Sequence, residues 1–248
     1  MKIAVMGATG TAGSRVVRSL KAKDVDVVEA SRSQGVDLVS GDGLAAAVAG
    51  ADAVIDASNA FPPNESMEWS QALTTATRNV VETCSERGVN RLVFLSISGV
   101  ENPAFDNFPY YVAKREQEKI VKNSGLGATI LKTTQWYEFA TNPAAVTFRE
   151  DEVEVQDWLI QPVAVDTVAD VLVREALQPP RESPVLITGP NKVRLPELVR
   201  RRLEALGDAR PVRTVQPPLA VLGEGALVAP QQARVVGPDV DTWLAALK

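Results

Sequence analysis

Along the first two thirds of the chain, short runs of β-branched and aliphatic residues alternate with longer segments whose apolar positions recur at helical spacing. Residues 2–6, 25–30, 53–57, 91–97 and 128–133 read as strands, and a weaker strand is predicted through 36–39. Between them, Ala12, Val16 and Leu20 repeat four apart, and so do Ala76, Val80 and Cys84 behind Leu73. Gly88 sits where a helix stops before the 91–97 strand. Strands alternating with helices predict an α/β fold, a doubly wound parallel sheet of the Rossmann type.

Past Phe139 the pattern changes. Prolines become frequent (Pro143, Pro162, Pro179, Pro180, Pro184, Pro190, Pro196) and the elements shorten. Residues 165–177 and 195–206 still read as helices, 184–188 as a strand, and 241–247 as a last helix. The expected organisation is a dinucleotide-binding part over 1–139, then the last sheet elements and a small C-terminal α/β lobe over 140–248. The two parts interleave as one unit, and the lobe is expected to act as a substrate lid.

Composition narrows the classes. With 31 acidic against 26 basic residues the net charge is −5, which disfavours nucleic acid or an anionic membrane as the main partner. No apolar stretch is long enough to span a bilayer, and the chain enters a strand at once without a signal-peptide segment, so a cytoplasmic protein is expected, monomeric or homodimeric. One cysteine, Cys84, excludes an intramolecular disulfide, and the absence of histidine removes any His base or His-ligated metal. No metal site is expected.

The segment from Gly7 through Ala8, Thr9, Gly10, Thr11 and Ala12 to Gly13 follows a strand and opens a helix. Gly7 permits a tight turn, Gly10 removes a side chain where a pyrophosphate approaches, and Gly13 lets helix and strand pack closely. The free N–H groups and the positive end of the helix dipole then face the phosphates. The glycine spacing is GxxGxxG rather than GxGxxG. Together with Phe94-Leu95-Ser96-Ile97-Ser98-Gly99, Tyr110-Tyr111-Val112-Ala113-Lys114 and Ile160-Gln161-Pro162-Val163-Ala164-Val165-Asp166, it resembles the atypical branch of the short-chain dehydrogenase/reductase superfamily. The similarity lies with its NmrA-like and NAD(P)H-binding members and covers nearly the whole chain.

In NAD-preferring sheets an acidic residue ends the second strand and holds the ribose 2′-hydroxyl. Here that strand ends in Ser31-Arg32, while Glu29 lies inside it. Arg32 offers a permanently charged fork to a 2′-phosphate and Ser31 adds a hydroxyl, so NADP(H) is preferred over NAD(H). The resemblance further implies Asp42 beside the adenine, and Ser58 and Asn59 along the phosphate–ribose channel. Turn or cap roles suit those three residue types equally.

Tyr110 and Lys114 are four apart in a predicted helix and share a face. In the superfamily such a pair carries the proton transfer, with the lysine also holding the nicotinamide ribose. An ammonium favours the phenolate, and lowering a phenol by three units asks for about 4 kcal/mol. Ser98, or failing that Ser96, is the candidate donor to the substrate oxygen. Gln135, Trp136, Tyr137 and Phe139 follow the last of these strands. They are candidate substrate contacts, with core packing the alternative reading of the aromatics.

These residues point to an NADP(H)-dependent oxidoreductase acting on a small carbonyl or quinone-like compound. A dinucleotide-sensing regulator of the NmrA-like kind is the alternative, and a sugar-nucleotide epimerase is a more distant third.

Overall fold

The computed structural model describes residues 1–62 and 67–247. In chain order its elements begin with β1 (Lys2–Met6), α1 (Thr11–Lys21), β2 (Asp26–Ala30), α2 (Leu44–Ala47), β3 (Ala53–Asp56) and α3 (Trp69–Glu86). There follow β4 (Arg91–Ile97), α4 (Pro109–Lys122), β5 (Gly127–Thr133), β6 (Val146–Phe148), β7 (Val153–Gln156) and β8 (Leu159–Ile160). The remainder is α5 (Val165–Ala176), β9 (Val185–Thr188), β10 (Val193–Arg194), α6 (Leu195–Ala205), β11 (Val212–Val215), α7 (Ala220–Gly223), β12 (Arg234–Val235) and α8 (Val240–Ala245). They group into two units: Met1–Lys132 with Val168–Val185, and Thr133–Thr167 with Leu186–Lys248.

In the first unit the strand order is β5-β4-β3-β1-β2, and the pairings of β1 with β2, β1 with β3 and β3 with β4 are parallel. The chain thus leaves β1 toward one edge and returns at β3 on the other side, which puts a topological switch point between β1 and β3. Both faces of the sheet are covered, as a parallel sheet requires. Alternate residues Ala4, Met6, Val54, Leu92 and Phe94 pack with Leu44, Ala47, Val80, Val81, Cys84 and Val121 of α2, α3 and α4. Their neighbours Ile3, Val5, Ile55 and Val93 are buried on the opposite side. α1 buries Val16, Val17 and Leu20 along one stripe, and its Ser19 hydroxyl donates to Asp170 of α5 at 2.8 Å.

The strand predicted at 36–39 is absent; the segment is a turn. The Asp37 carboxylate accepts the Val39 N–H at 2.7 Å and the Ser40 N–H at 3.3 Å, bonds a strand ladder would have claimed. Asn79 of α3 then fastens the loop by donating to the carbonyls of Leu38 (2.8 Å) and Val39 (3.0 Å).

In the second unit β6 and β7 form an antiparallel pair, β11 adds to β7 in parallel, β10 pairs with β8, and β12 lies parallel to β9. Tyr137 stacks on Trp243 with ring centroids 4.8 Å apart, and Leu195, Leu198 and Val199 of α6 are buried. Among the described residues, no helix is long and apolar enough to cross a membrane, and no cluster of metal-ligating side chains occurs.

Candidate active site: a dinucleotide cradle and a buried lysine

The turn after β1 is built from backbone approaches that only glycine tolerates. Gly7 has φ +73°, and a Cβ there would lie 2.9 Å from Cα of Ser58. A Cβ on Gly13 would lie 2.0 Å from the Gly7 carbonyl oxygen, so α1 can start this close to β1 only with glycine at that position. Gly7 and Ala8 N–H both donate to the Ala30 carbonyl, at 2.9 and 3.2 Å, which ties the turn to the end of β2. Gly10 is the N-cap of α1. It brings no side-chain cap, and the first turn contains no acidic residue. Thr9, Gly10 and Thr11 are exposed, while Ala12 and Gly13 are buried. An uncapped helix end with no carboxylate in its first turn presents its N–H groups to an anion, and the glycines keep the approach clear, so these residues fit a dinucleotide pyrophosphate.

The turn after β2 is made of side chains. Arg32, Ser33 and Gln34 form a single 3₁₀ turn, and Arg32 is exposed. The Ser31 hydroxyl lies 2.9 Å from that of Ser33 and donates to the Gln34 carboxamide oxygen at 2.7 Å. Glu29 is held by Lys21 at 2.6 Å, and that bond leads the effects lowering its pKa. The acid nearest this turn is thus already engaged by a cation. Ser33 and Gln34 went unnoticed in the sequence because hydroxyl and amide residues after a strand read as ordinary turn formers.

Asp42 lies in a second turn, where its carboxylate accepts the Ser40 hydroxyl at 2.7 Å. Ser58 follows β3, next to Gly7, and its N–H donates to the Asp56 carboxylate at 2.9 Å; Asn59 is exposed.

α4 begins at Pro109, whose missing N–H suits the first helical position. Tyr110 is half-buried between Trp69 and Tyr111, with centroids 5.4 and 5.5 Å away. Burial pushes its phenol up to about 12, the reverse of the lowering expected from Lys114. Lys114 is itself buried at 3% exposure. Its Nζ donates to the Leu95 carbonyl at 3.5 Å and lies 5.0 Å from the centroid of the Phe94 ring. Burial lowers it to about 8, against the opposing pull of Asp56 and then Glu118.

The two candidate serines separate cleanly. Ser96 donates to Glu118, which also binds Lys132 at 3.0 Å, whereas the Ser98 hydroxyl makes no hydrogen bond among the described residues.

The sequence reading also missed Asp56, a carboxylate at 2% exposure in an otherwise apolar strand. An acid closing a run of Ala, Val and Ile was the available signal.

In the second unit, Tyr137 is fully buried and its hydroxyl donates to the Pro238 carbonyl at 3.0 Å. A ring with no exposed surface and a satisfied hydroxyl is core. Phe139 packs on Trp158 at 5.1 Å. Trp136 is half-buried, with its indole N–H on the Thr133 hydroxyl at 3.0 Å. Gln135 differs from these three: its carboxamide oxygen is buried and accepts no hydrogen bond among the described residues.

A family model described as NAD(P)H-binding matches residues 7–179. UPF0659 protein YMR090W of Saccharomyces cerevisiae is 30% identical over 156 residues, covering 53% of this chain and 68% of the yeast protein. Among solved structures, MoeE5 in complex with UDP-glucose and NAD has a TM-score of 0.79 at 22% identity, over 99% of this chain and 96% of that one. A short-chain dehydrogenase/reductase superfamily protein from Agrobacterium tumefaciens with bound NAD gives 0.76 at 16% identity, over 99% and 95%. UDP-glucose 4-epimerase of Thermus thermophilus in complex with NAD gives 0.72 at 18% identity, over 100% and 93%. At such identities the structural likeness is one of fold, and it joins the glycine cradle and the family match in one conclusion. The chain belongs to the NAD(P)H-binding family.

Proposed function

We propose that this protein is an NADP(H)-dependent oxidoreductase acting on a small carbonyl or quinone-like compound. The observation that carries the reading is Lys114, buried one helical turn after Tyr110 and reaching the carbonyl of Leu95, in the strand that leads to the unengaged Ser98 hydroxyl. The pyrophosphate lies on the N–H groups of Thr11 to Gly13, and Arg32 with Ser31 takes the 2′-phosphate. Ser58 and Asn59 line the ribose channel, Asp42 borders the adenine, and the Lys114 ammonium donates to the nicotinamide ribose. When bound, the dinucleotide supplies or accepts the hydride.

Tyr110 then acts as proton donor to the substrate oxygen, and Ser98 orients that oxygen by a hydrogen bond. A phenol held at about 12 keeps its proton at neutral pH, which suits a donor in reduction better than a base in oxidation. Within the second unit, the buried Gln135 carboxamide oxygen is costly until a donor meets it, which makes it that unit's candidate ligand contact, while Trp136, Tyr137 and Phe139 shape the unit by packing.

The test is NADPH consumption against a panel of carbonyls and quinones. The active substrate should be turned over about 10²–10⁴ times more slowly by Tyr110→Phe, with NADPH affinity almost unchanged. Tight NADPH binding with no turnover across the panel would remove the enzyme reading and leave the NmrA-like sensor. Equal rates in Tyr110→Phe would keep an oxidoreductase but take Tyr110 out of its site.

A further inference from the structure

Asp56 has no place in the proton transfer just described, yet its burial demands an explanation. A carboxylate at 2% exposure is costly unless bonded and paired: burial pushes its pKa up, and the Ser58 hydrogen bonds and then the Lys114 charge pull against that rise. It ends β3 on the face that packs against α3 and α4, since Val54, two residues earlier, belongs to that core. Its Cα partner across the β3–β4 ladder is Phe94. The Lys114 ammonium lies over that same Phe94 ring, 5.0 Å from its centroid, and donates to the carbonyl of the next residue, Leu95. Carboxylate and ammonium therefore share one buried neighbourhood around Phe94. On its other side Asp56 accepts the N–H of Ser58, the residue whose Cα closes the cradle against Gly7.

We propose that Asp56 is a positioning residue whose buried carboxylate keeps Lys114 charged and aimed, and at the same time fixes Ser58 at the mouth of the dinucleotide cradle. The inference rests on Lys114 being a ribose contact. The charged groups acting on Lys114 are Asp56 from β3 and Glu118 from α4 itself. Glu118 is already divided between Ser96 and Lys132, and Lys132 also pairs with Glu101, so Asp56 is the acid least shared with other cations. Cys84 on α3 senses the Asp56 charge, but burial holds its thiol up at about 12 and it does not titrate near neutrality.

Burial lowers Lys114 to about 8 and Asp56 opposes it, so removing the Asp56 charge moves Lys114 lower still. NADPH binding, followed by fluorescence titration from pH 6 to 9.5, should weaken in the unmodified protein as pH rises past about 8. Asp56→Asn keeps an acceptor for the Ser58 N–H and loses only the charge. A loss of one unit makes its NADPH affinity about fivefold weaker than the unmodified protein at pH 8 and nearly equal at pH 6.5. Lys114→Arg, whose guanidinium does not titrate, should flatten the profile.

A flat profile in the unmodified protein overturns the proposal even if Asp56→Asn does not fold. So does a profile unchanged by Asp56→Asn, or one that persists in Lys114→Arg. Turnover does not enter these measurements, so they can fail while the oxidoreductase reading stands. Absence of NADPH binding at every pH would sink both.

Discussion

The turns after β1 and β2 lie side by side, tied by the Gly7 and Ala8 bonds to Ala30, yet they are built on opposite principles. The first is backbone throughout: a Cβ on either of two of its glycines would fall within 3 Å of neighbouring main chain, and its helix end carries no side-chain cap. The second is a cluster of exposed or half-exposed side chains, Ser31, Arg32, Ser33 and Gln34, in which the Ser31 hydroxyl meets both Ser33 and Gln34. A surface made of N–H groups recognises the pyrophosphate that every dinucleotide has. A surface made of interchangeable side chains is where one dinucleotide is told from another. On the proposed reading, the first turn sets whether the protein binds, and the second sets what it prefers.

Gly10 is where this contrast can be broken most visibly. Its φ of −77° is ordinary for any residue, and a Cβ would meet only the Gly7 carbonyl oxygen, at 3.2 Å, so Gly10→Val should fold. Its side chain would nonetheless stand where the proposal puts the pyrophosphate, and affinity for NADPH and NADH alike should fall by about a hundredfold or more, roughly 3 kcal/mol. Calorimetric titration checks this; retained binding in a folded variant would move the phosphates elsewhere.

Arg32→Ala tests the second turn and should act on one dinucleotide only. A charge-assisted contact is worth about 1.5–3 kcal/mol, so NADPH should bind about tenfold to a hundredfold more weakly while NADH barely changes. A parallel loss for both would mean that Arg32 serves the shared part of the molecule.

The same division explains what was legible in the sequence. The glycine turn, the strands β1 to β5 and the helices α1 and α3 follow from periodicity and from backbone geometry that few residues satisfy. The turn at 36–39 misled because its apolar alternation matches a strand, while the Asp37 carboxylate settles it locally. The β6–β7 pair was passed over because its strands have only 3 and 4 residues, too short for a period to register. Within the candidate site, Tyr110, Lys114 and the two serines were singled out by position. That Ser96 is bound to Glu118 and that Tyr137 belongs to a core are facts of tertiary contact, which no local pattern contains.

A smaller effect separates the serines. Ser98→Ala should lower kcat/KM by about tenfold through one lost substrate hydrogen bond. Ser96→Ala should instead cost about 1 kcal/mol of stability by freeing Glu118, with little change in kcat/KM, as thermal melting and steady-state kinetics would reveal. Equal kinetic losses would dissolve the distinction drawn from their hydrogen bonds.

Glu29→Gln should do least. Because Lys21 already occupies that partly exposed carboxylate, NADH affinity should stay within about twofold. A large loss of NADH binding would make Glu29 a ribose ligand after all and weaken the case for Arg32.

Dissociation constants of the unmodified protein for NADPH and NADH, taken side by side at low and physiological salt, test the account most directly. The two turns together predict measurable binding of both, with NADPH tighter by about tenfold or more and the advantage shrinking as salt screens Arg32. Equal affinities, or tighter binding of NADH, would contradict it.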